Sequence, residues 1–471
     1  MNKDWEIVIG IEIHLELNTK TKMFSPAPNV YGEEANAHVS NIDLAYPGSL
    51  PLVNSAAIIK AIKLAKALKM EIDPIVRFDR KNYFYPDLTK GYQITQQFNP
   101  IGKNGQIKIK VNNNWQDVLI ERIHMEEDTA KSNHEGDLTY LNYNRSGVPL
   151  IEIVSNPVIH SAEEAVAYVE AIRKTAQTLN ISKAKMNEGS MRVDVNISVR
   201  PKGSEILNTR VEIKNLNSLS NIEKAIEYEA NYQVNKYLNN EAFPQETKRF
   251  DEGKQITVSM RSKSDAVDYK YFPDPNIPYI GLSSDLIDNV KIEELPYDKE
   301  LRYIKNGLNE VQISQLINNV EYAKYFDEID FLDIKKAANV FFAEVISYLN
   351  SNNLAIEQLE LQPLELKEVL DLLVLDQLDK TSVKKILVEK QKNPQFSVSE
   401  IIKNNNLKLE LMNLDLNQII EEVLNENSNL LEEFTKNPAR AEKFMMGQVM
   451  KKTKGKAKND EVLKAIKERF N

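Results

Sequence analysis

From Trp5 to Leu17 every second residue is apolar: Trp5, Ile7, Ile9, Ile11, Ile13, Leu15 and Leu17. Successive side chains on a strand point to opposite faces, so the alternation predicts a half-buried β-strand. Its polar face carries Glu12, His14 and Glu16. Neighbours on one face are roughly 7 Å apart, close enough for long side chains to converge on one cation. The pattern returns from Arg192 to Arg200. There Val193, Val195, Ile197 and Val199 face one way and Arg192, Asp194, Asn196 and Ser198 the other. A third polar segment is His124-Met-Glu126-Glu127-Asp128, and Glu152 is flanked by apolar residues within Pro149-Leu-Ile-Glu-Ile-Val154. An unpaired carboxylate in such a run is costly.

Helical signals sit between these strands. Ser161 with Glu164, and Ser220 with Glu223, have the S-x-x-E spacing that satisfies free N–H groups at a helix start. A third helix is predicted from about Ala56 to Met70. Twelve of the 15 glycines lie at or before Gly281 and 15 of the 18 prolines at or before Pro296. Short strands and turns therefore dominate the first part, and Leu-, Glu-, Lys- and Asn-rich helices the rest, with a boundary near 290–296. Asn393-Pro394 and Asn404-Asn405-Asn406 mark a second break. Helices packed on sheet in two layers follow from the mixture.

At 471 residues the chain predicts about three domains. No run approaches the roughly 20 apolar residues that cross a bilayer, and no export signal precedes Trp5, so a cytoplasmic location without membrane contact is expected. The absence of cysteine excludes disulfides, thiolate zinc sites and a cysteine nucleophile. Net charge is −9, yet Lys451–Asn471 holds eight Lys/Arg against three Asp/Glu. That end is either a solvated helical tail or a phosphate-contacting patch. For each polar strand face alone, a solvated sheet surface is the plainer reading. Taken together, the acidic faces with interspersed His and Arg favour an ion site. Carboxylate oxygens suit Mg²⁺, and a histidine ligand leaves Mn²⁺ or Zn²⁺ open. Phosphate-loop, dinucleotide and serine-hydrolase glycine motifs are all absent.

The segment Arg80-Lys-Asn-Tyr-Phe-Tyr-Pro-Asp-Leu-Thr-Lys-Gly-Tyr-Gln-Ile-Thr-Gln96 resembles a motif of the B subunits of aspartyl/glutamyl-tRNA amidotransferases. Further stretches match the family in order: Gly10–His14, Tyr46–Pro51, His124–Asp128, Asn144–Ser155, Gly189–Asn196, Glu212–Ser218, Asp268–Pro273 and Gly447–Ala457. Departures are few. Val193 stands where many members have cysteine, Lys270 where they have arginine, and Asp274-Pro-Asn276 where they have Glu-Pro-Asp.

The resemblance implies an α+β N-terminal cradle domain built on antiparallel sheets (1–293), an all-α helical domain (294–405) and a small α-helical tail domain that binds tRNA (406–471). It implies an ATP- and Mg²⁺-dependent kinase and transamidase acting on Glu-tRNA(Gln) or Asp-tRNA(Asn). The family's amidase, its A subunit, would supply ammonia, and a small C subunit would make up the heterotrimer. Carried over by position, Glu12, His14, Glu127 and Asp194 are the expected metal ligands, with Glu126 and Glu152 as further, catalytic candidates. Lys81 is expected to contact phosphate, and Arg192 to bind the nucleotide. Lys451, Lys452, Lys454, Lys456 and Lys458 are the tail candidates for tRNA. Two other readings stand beside this one: a non-catalytic tRNA-binding scaffold of the same complex, and the related archaeal-type protein. The latter carries an inserted domain for which this chain has no room.

Overall fold

The computed structural model describes residues 4–262, 268–407, 416–427, 430, 434, 437–453 and 459–470. The chain divides into two compact units, 1–324 and 325–471.

Among the described residues the first unit has sixteen strands, numbered here in chain order. They are β1 (Trp5–Glu16), β2 (Glu71–Ile72), β3 (Ile75–Val76), β4 (Asp79–Asn82), β5 (Tyr92–Thr95), β6 (Gly102–Val111), β7 (Asn114–Glu127), β8 (Lys131–Glu135), β9 (Leu138–Asn142), β10 (Pro149–Ser155), β11 (Met191–Pro201), β12 (Val211–Lys214), β13 (Glu246–Asp251), β14 (Ile256–Ser262), β15 (Phe272–Pro273) and β16 (Ile280–Gly281). Nine of them form one sheet in the order β14-β13-β12-β11-β1-β10-β7-β6-β2. Seven of its eight pairings are antiparallel. The exception, β12 with β13, is parallel. A parallel pair needs a crossover, which helix α3 (Leu219–Leu238) supplies.

The alternation in β1 has the expected result: Ile9, Ile11, Ile13 and Leu15 are fully buried. They join one apolar core with α1 (Ser55–Ala67), α2 (Ala162–Thr178) and α3. Ser161 caps α2 by accepting from Glu164 N, as its spacing predicts. The Glu164 carboxylate, however, accepts from His160 N at 2.7 Å and so reaches one residue further back. Helix α3 starts earlier than Ser220 implies. Ser218 is its cap, accepting from Asn221 N at 3.2 Å. The earlier start brings Leu219 and Ile222, one helical turn apart, onto the core.

A second layer is the three-stranded sheet β15-β4-β5. It is fastened to β7 through β5: Gln96 Oε1 accepts from Met125 N at 2.9 Å, and Gln93 Nε2 donates to Glu127 O at 2.8 Å. Arg80 of β4 pairs with the buried Asp274 at 2.7 Å. That carboxylate also accepts from Asn276 N and Ile277 N, so Asp274 turns the chain after β15.

Helices Pro296–Lys305 and Glu310–Asn318 fall within the first unit. Tyr297 meets Trp115 edge-on at 4.6 Å, and Glu300 pairs with Lys110 at 2.7 Å. These contacts carry the compact unit past the composition change near 290–296.

The second unit is helical. Tyr325 stacks on Phe341 at 5.7 Å and donates to Leu361 O, and Leu366, Leu370, Ile386 and Leu387 are buried in the same unit. Breaks follow Lys392 and Asn404, where the asparagine and proline signals lie. Helices Leu416–Glu426, Pro438–Lys452 and Asn459–Phe470 share their own apolar cluster, including Ile420, Met445, Val449 and Ile466. Among the described residues, no helix is long and apolar enough to cross a membrane.

Candidate functional site

Strand register brings the polar residues together. His14 lies opposite Glu152 on β10 and Arg192 on β11, while Glu152 lies opposite His124 on β7. Glu12 is opposite Asp194. This face is roofed: Lys81 of β4 and Tyr269 line the same cavity as His14, Glu126, Glu152 and Asp194, a space of about 630 Å³. The face is thus one wall of a cleft, with Glu12, His14, Glu152 and Asp194 half-buried and Arg192 still exposed.

Two groups of ligand-type side chains stand in that cavity. In the first, His14, Glu126 and Glu152 offer atoms within 4.8 Å of one another. His14 Nε2 is 3.4 Å from Glu126 and 3.7 Å from Glu152. His124, buried beside them, holds Glu152 at 2.8 Å. Burial alone would raise the Glu152 carboxyl, but the charges of His124, His14 and Lys81 hold it well below the usual carboxylate range. Burial works against protonation of His124, and Glu152 and Glu126 more than offset this, raising it. An imidazole among carboxylates suits a transition ion such as Mn²⁺ or Zn²⁺ better than Mg²⁺.

In the second group, Glu12, Asp194 and Glu212 converge within the same 4.8 Å limit. Burial, then the charges of Glu152 and Glu212, raise the Glu12 carboxyl. The donor set is all oxygen, the chemistry of Mg²⁺. Lys214 sits on this group, 2.7 Å from Asp194 and 2.9 Å from Glu212. Burial would lower its ammonium, and the two carboxylates raise it instead. Neither Glu212 nor Lys214 was singled out from sequence. The signal was present: in Val211-Glu-Ile-Lys214 the apolar pair is buried and the charged pair shares the other face.

Of the other expected residues, Lys81 lies in the cavity with its ammonium 4.8 Å from the Tyr269 ring centre. Arg192 lines it too and pairs with Asp128 at 3.0 Å. Asp128 also holds Arg145; burial opposes its ionisation, and the two guanidiniums outweigh burial and lower its carboxyl. Glu127 joins neither group. As the neighbour of Glu126 on a strand it points to the opposite face, where it takes Lys90 at 2.6 Å and Ile94 N at 3.0 Å. Burial raises its carboxyl against the pull of Lys90. In the tail, Lys451 is exposed, and Lys452 is engaged with Glu422 at 3.2 Å and Glu426 at 2.6 Å. Lys454, Lys456 and Lys458 lie outside the described residues.

Comparison with known proteins covers both units. The family described as the GatB/GatE catalytic domain matches residues 7–288, and that described as the GatB domain matches 324–470. The aspartyl/glutamyl-tRNA(Asn/Gln) amidotransferase B subunit of Mycoplasmopsis agalactiae is 49% identical over 471 residues, 99% of each chain. Its counterpart in Mesoplasma florum is 48% identical over 460 residues, 96% of each. That of Oceanobacillus iheyensis is 39% identical over 477 residues, 99% of each. Both carboxylate groups, and the strands that carry them, fall within the matched catalytic domain. The chain therefore belongs to the family of aspartyl/glutamyl-tRNA amidotransferase B subunits.

Proposed function

We propose that the cavity binds ATP and activates the side-chain carboxylate of Glu-tRNA(Gln) or Asp-tRNA(Asn) for amidation. The observation that carries this reading is the pair of carboxylate groups, His14/Glu126/Glu152 and Glu12/Asp194/Glu212, facing one roofed space beside Lys81 and Arg192. A carboxylate is a poor acyl donor because oxide would have to leave. Transfer of the γ-phosphoryl group to its oxygen, with release of ADP, makes an acyl phosphate. Ammonia then attacks the acyl carbon, and phosphate departs with the C–O bond electrons. A divalent ion held by Glu12, Asp194 and Glu212 supplies charge neutralisation at the phosphates. His14, Glu126 and Glu152 are the proposed holders of a second ion. Lys81 and Arg192 add fixed positive charge where the transferred group becomes more negative.

The ammonia comes from outside this chain. Glutamine hydrolysis needs a thiol or an activated hydroxyl, and the sequence has no cysteine. The source in this reading is an amidase partner, the A subunit, and a small C subunit makes up the heterotrimer, consistent with a relative named as a B subunit. Segments 1–293, 294–405 and 406–471 are the proposed catalytic, helical and tRNA-binding parts.

The test is ADP release by the assembled complex, dependent on misacylated tRNA. Asp194→Asn keeps side-chain volume and removes one charge. It should cut that rate by on the order of 10²-fold or more, with the melting temperature held within a few degrees. Wild-type rates in the variant would sink the assignment. A non-catalytic scaffold predicts amidation without tRNA-dependent ADP release from this site.

A further inference from the structure

Lys214 occupies the place where positive charge is most needed in the second carboxylate group. Three carboxylates converge there, and two have one oxygen already fixed from behind. Glu12 Oε1 accepts from Asn196 Nδ2 at 2.9 Å, and Glu212 Oε2 accepts from Thr247 Oγ1 at 2.8 Å. That leaves Glu12 Oε2, Glu212 Oε1 and both Asp194 oxygens, and the Lys214 ammonium touches two of these four, Glu212 Oε1 at 2.9 Å and Asp194 Oδ2 at 2.7 Å. Its side chain rises from the end of β12, two residues beyond Glu212, and is 35% exposed toward the cavity.

Lysine has the properties this position demands. It is a compact point charge with three rotatable donors on a four-carbon stem, so it can leave without moving the backbone. A guanidinium would lock onto the carboxylates in a rigid fork. Three carboxylates with ligand atoms within 4.8 Å of one another call for a cation between them.

Resting on the proposed metal reading, we infer that Lys214 is an internal counter-ion that competes with the divalent cation for Asp194 and Glu212. Cation binding displaces its ammonium into the cavity, where it takes the nucleotide's phosphates. The same residue thus holds the empty site together and hands its charge to the substrate once the site is filled. Two affinities should respond in opposite directions when its charge is removed. A residue that merely supported the fold would weaken both.

The experiment is Mn²⁺ binding to the full chain in its assembled complex, followed by electron paramagnetic resonance without nucleotide. The Asp194→Asn complex gives the background from other sites. Lys214→Met should bind Mn²⁺ about tenfold more tightly than wild type, a shift of ~1.4 kcal/mol, and bind ATP in the presence of Mn²⁺ about tenfold more weakly. Lys214→Arg retains the charge but forks rigidly onto the carboxylates, so it should bind Mn²⁺ more weakly than wild type, and it carries the test if the methionine variant does not fold. Equal or weaker Mn²⁺ binding by Lys214→Met overturns the counter-ion role while leaving the metal reading intact; if Lys214→Arg is the variant used, equal or tighter Mn²⁺ binding does the same. Wild-type Mn²⁺ binding no greater than the Asp194→Asn background overturns both.

Discussion

Glu127 and Lys90 form a buried pair whose side chains are 3% and 12% exposed. Breaking such a pair by removing one charge costs about 3–5 kcal/mol, because the partner is left desolvated and alone. Glu127→Gln should therefore lower the melting temperature markedly and leave Mn²⁺ affinity within about twofold of wild type. Differential scanning calorimetry beside the Mn²⁺ titration separates the effects. Loss of Mn²⁺ binding with an unchanged melting temperature would return Glu127 to the metal. Sequence alone does not resolve the roles of Glu126 and Glu127. Residues 123–127 are buried on both faces of β7, so the alternation that sorted β1 and β11 is missing there.

Elements were most legible where one face is apolar and the other polar. β1 and β11 announce themselves by parity, and their register then explains why Glu12 meets Asp194 and His14 meets Glu152. The short β12 spans only Val211–Lys214, so its alternation, though present, has just two residues per face and does not stand out, and Glu212 and Lys214 went unmarked. Helix starts were legible to within two residues, since Ser218 and Ser220 compete and side-chain packing of Leu219 decides. A testable start lies in the second unit. Asp379 caps helix Lys380–Lys392, accepting from Ser382 N at 2.7 Å and Ser382 Oγ at 2.8 Å. Burial raises its carboxyl, and the bonds from Ser382 and Thr381 outweigh that and lower it. A carboxyl lowered on folding stabilises above its unfolded pKa of about 3.9 and loses that contribution as pH falls through the lower folded value. Asp379→Ala should thus cost about 1 kcal/mol at pH 7, and the gap from wild type should close in acid below about pH 3.9. A gap in urea unfolding that persists unchanged at pH 2 would exclude an ionic cap.

For the molecule as a whole, charge is unevenly spread: −9 overall, with a basic final segment. Lys452 is already neutralised by Glu422 and Glu426, so Lys451 is the better candidate for a backbone phosphate among the described tail lysines. Deleting residues 410–471 should raise the KM for charged tRNA and flatten its dependence on salt, since each lost phosphate contact reduces the slope by about 0.7–0.9. An unchanged slope in filter-binding titrations from low to physiological salt would make this end a solvated tail.

The central position of β1 has a consequence for how the protein is made. This strand leaves the ribosome well before its two neighbours in the sheet, Pro149–Ser155 and Met191–Pro201. At synthesis rates of about 5–20 residues per second, it waits roughly 10–40 s for the second of them. Until Pro149–Ser155 is made, Ile7, Ile9, Ile11, Ile13 and Leu15 form an unpaired alternating apolar strand, and until Met191–Pro201 follows one of its edges stays open to any other strand. Nascent chains shorter than about 200 residues should be held by chaperones at their extreme N-terminus. Release should come when β11 emerges and closes the sheet around its oldest strand.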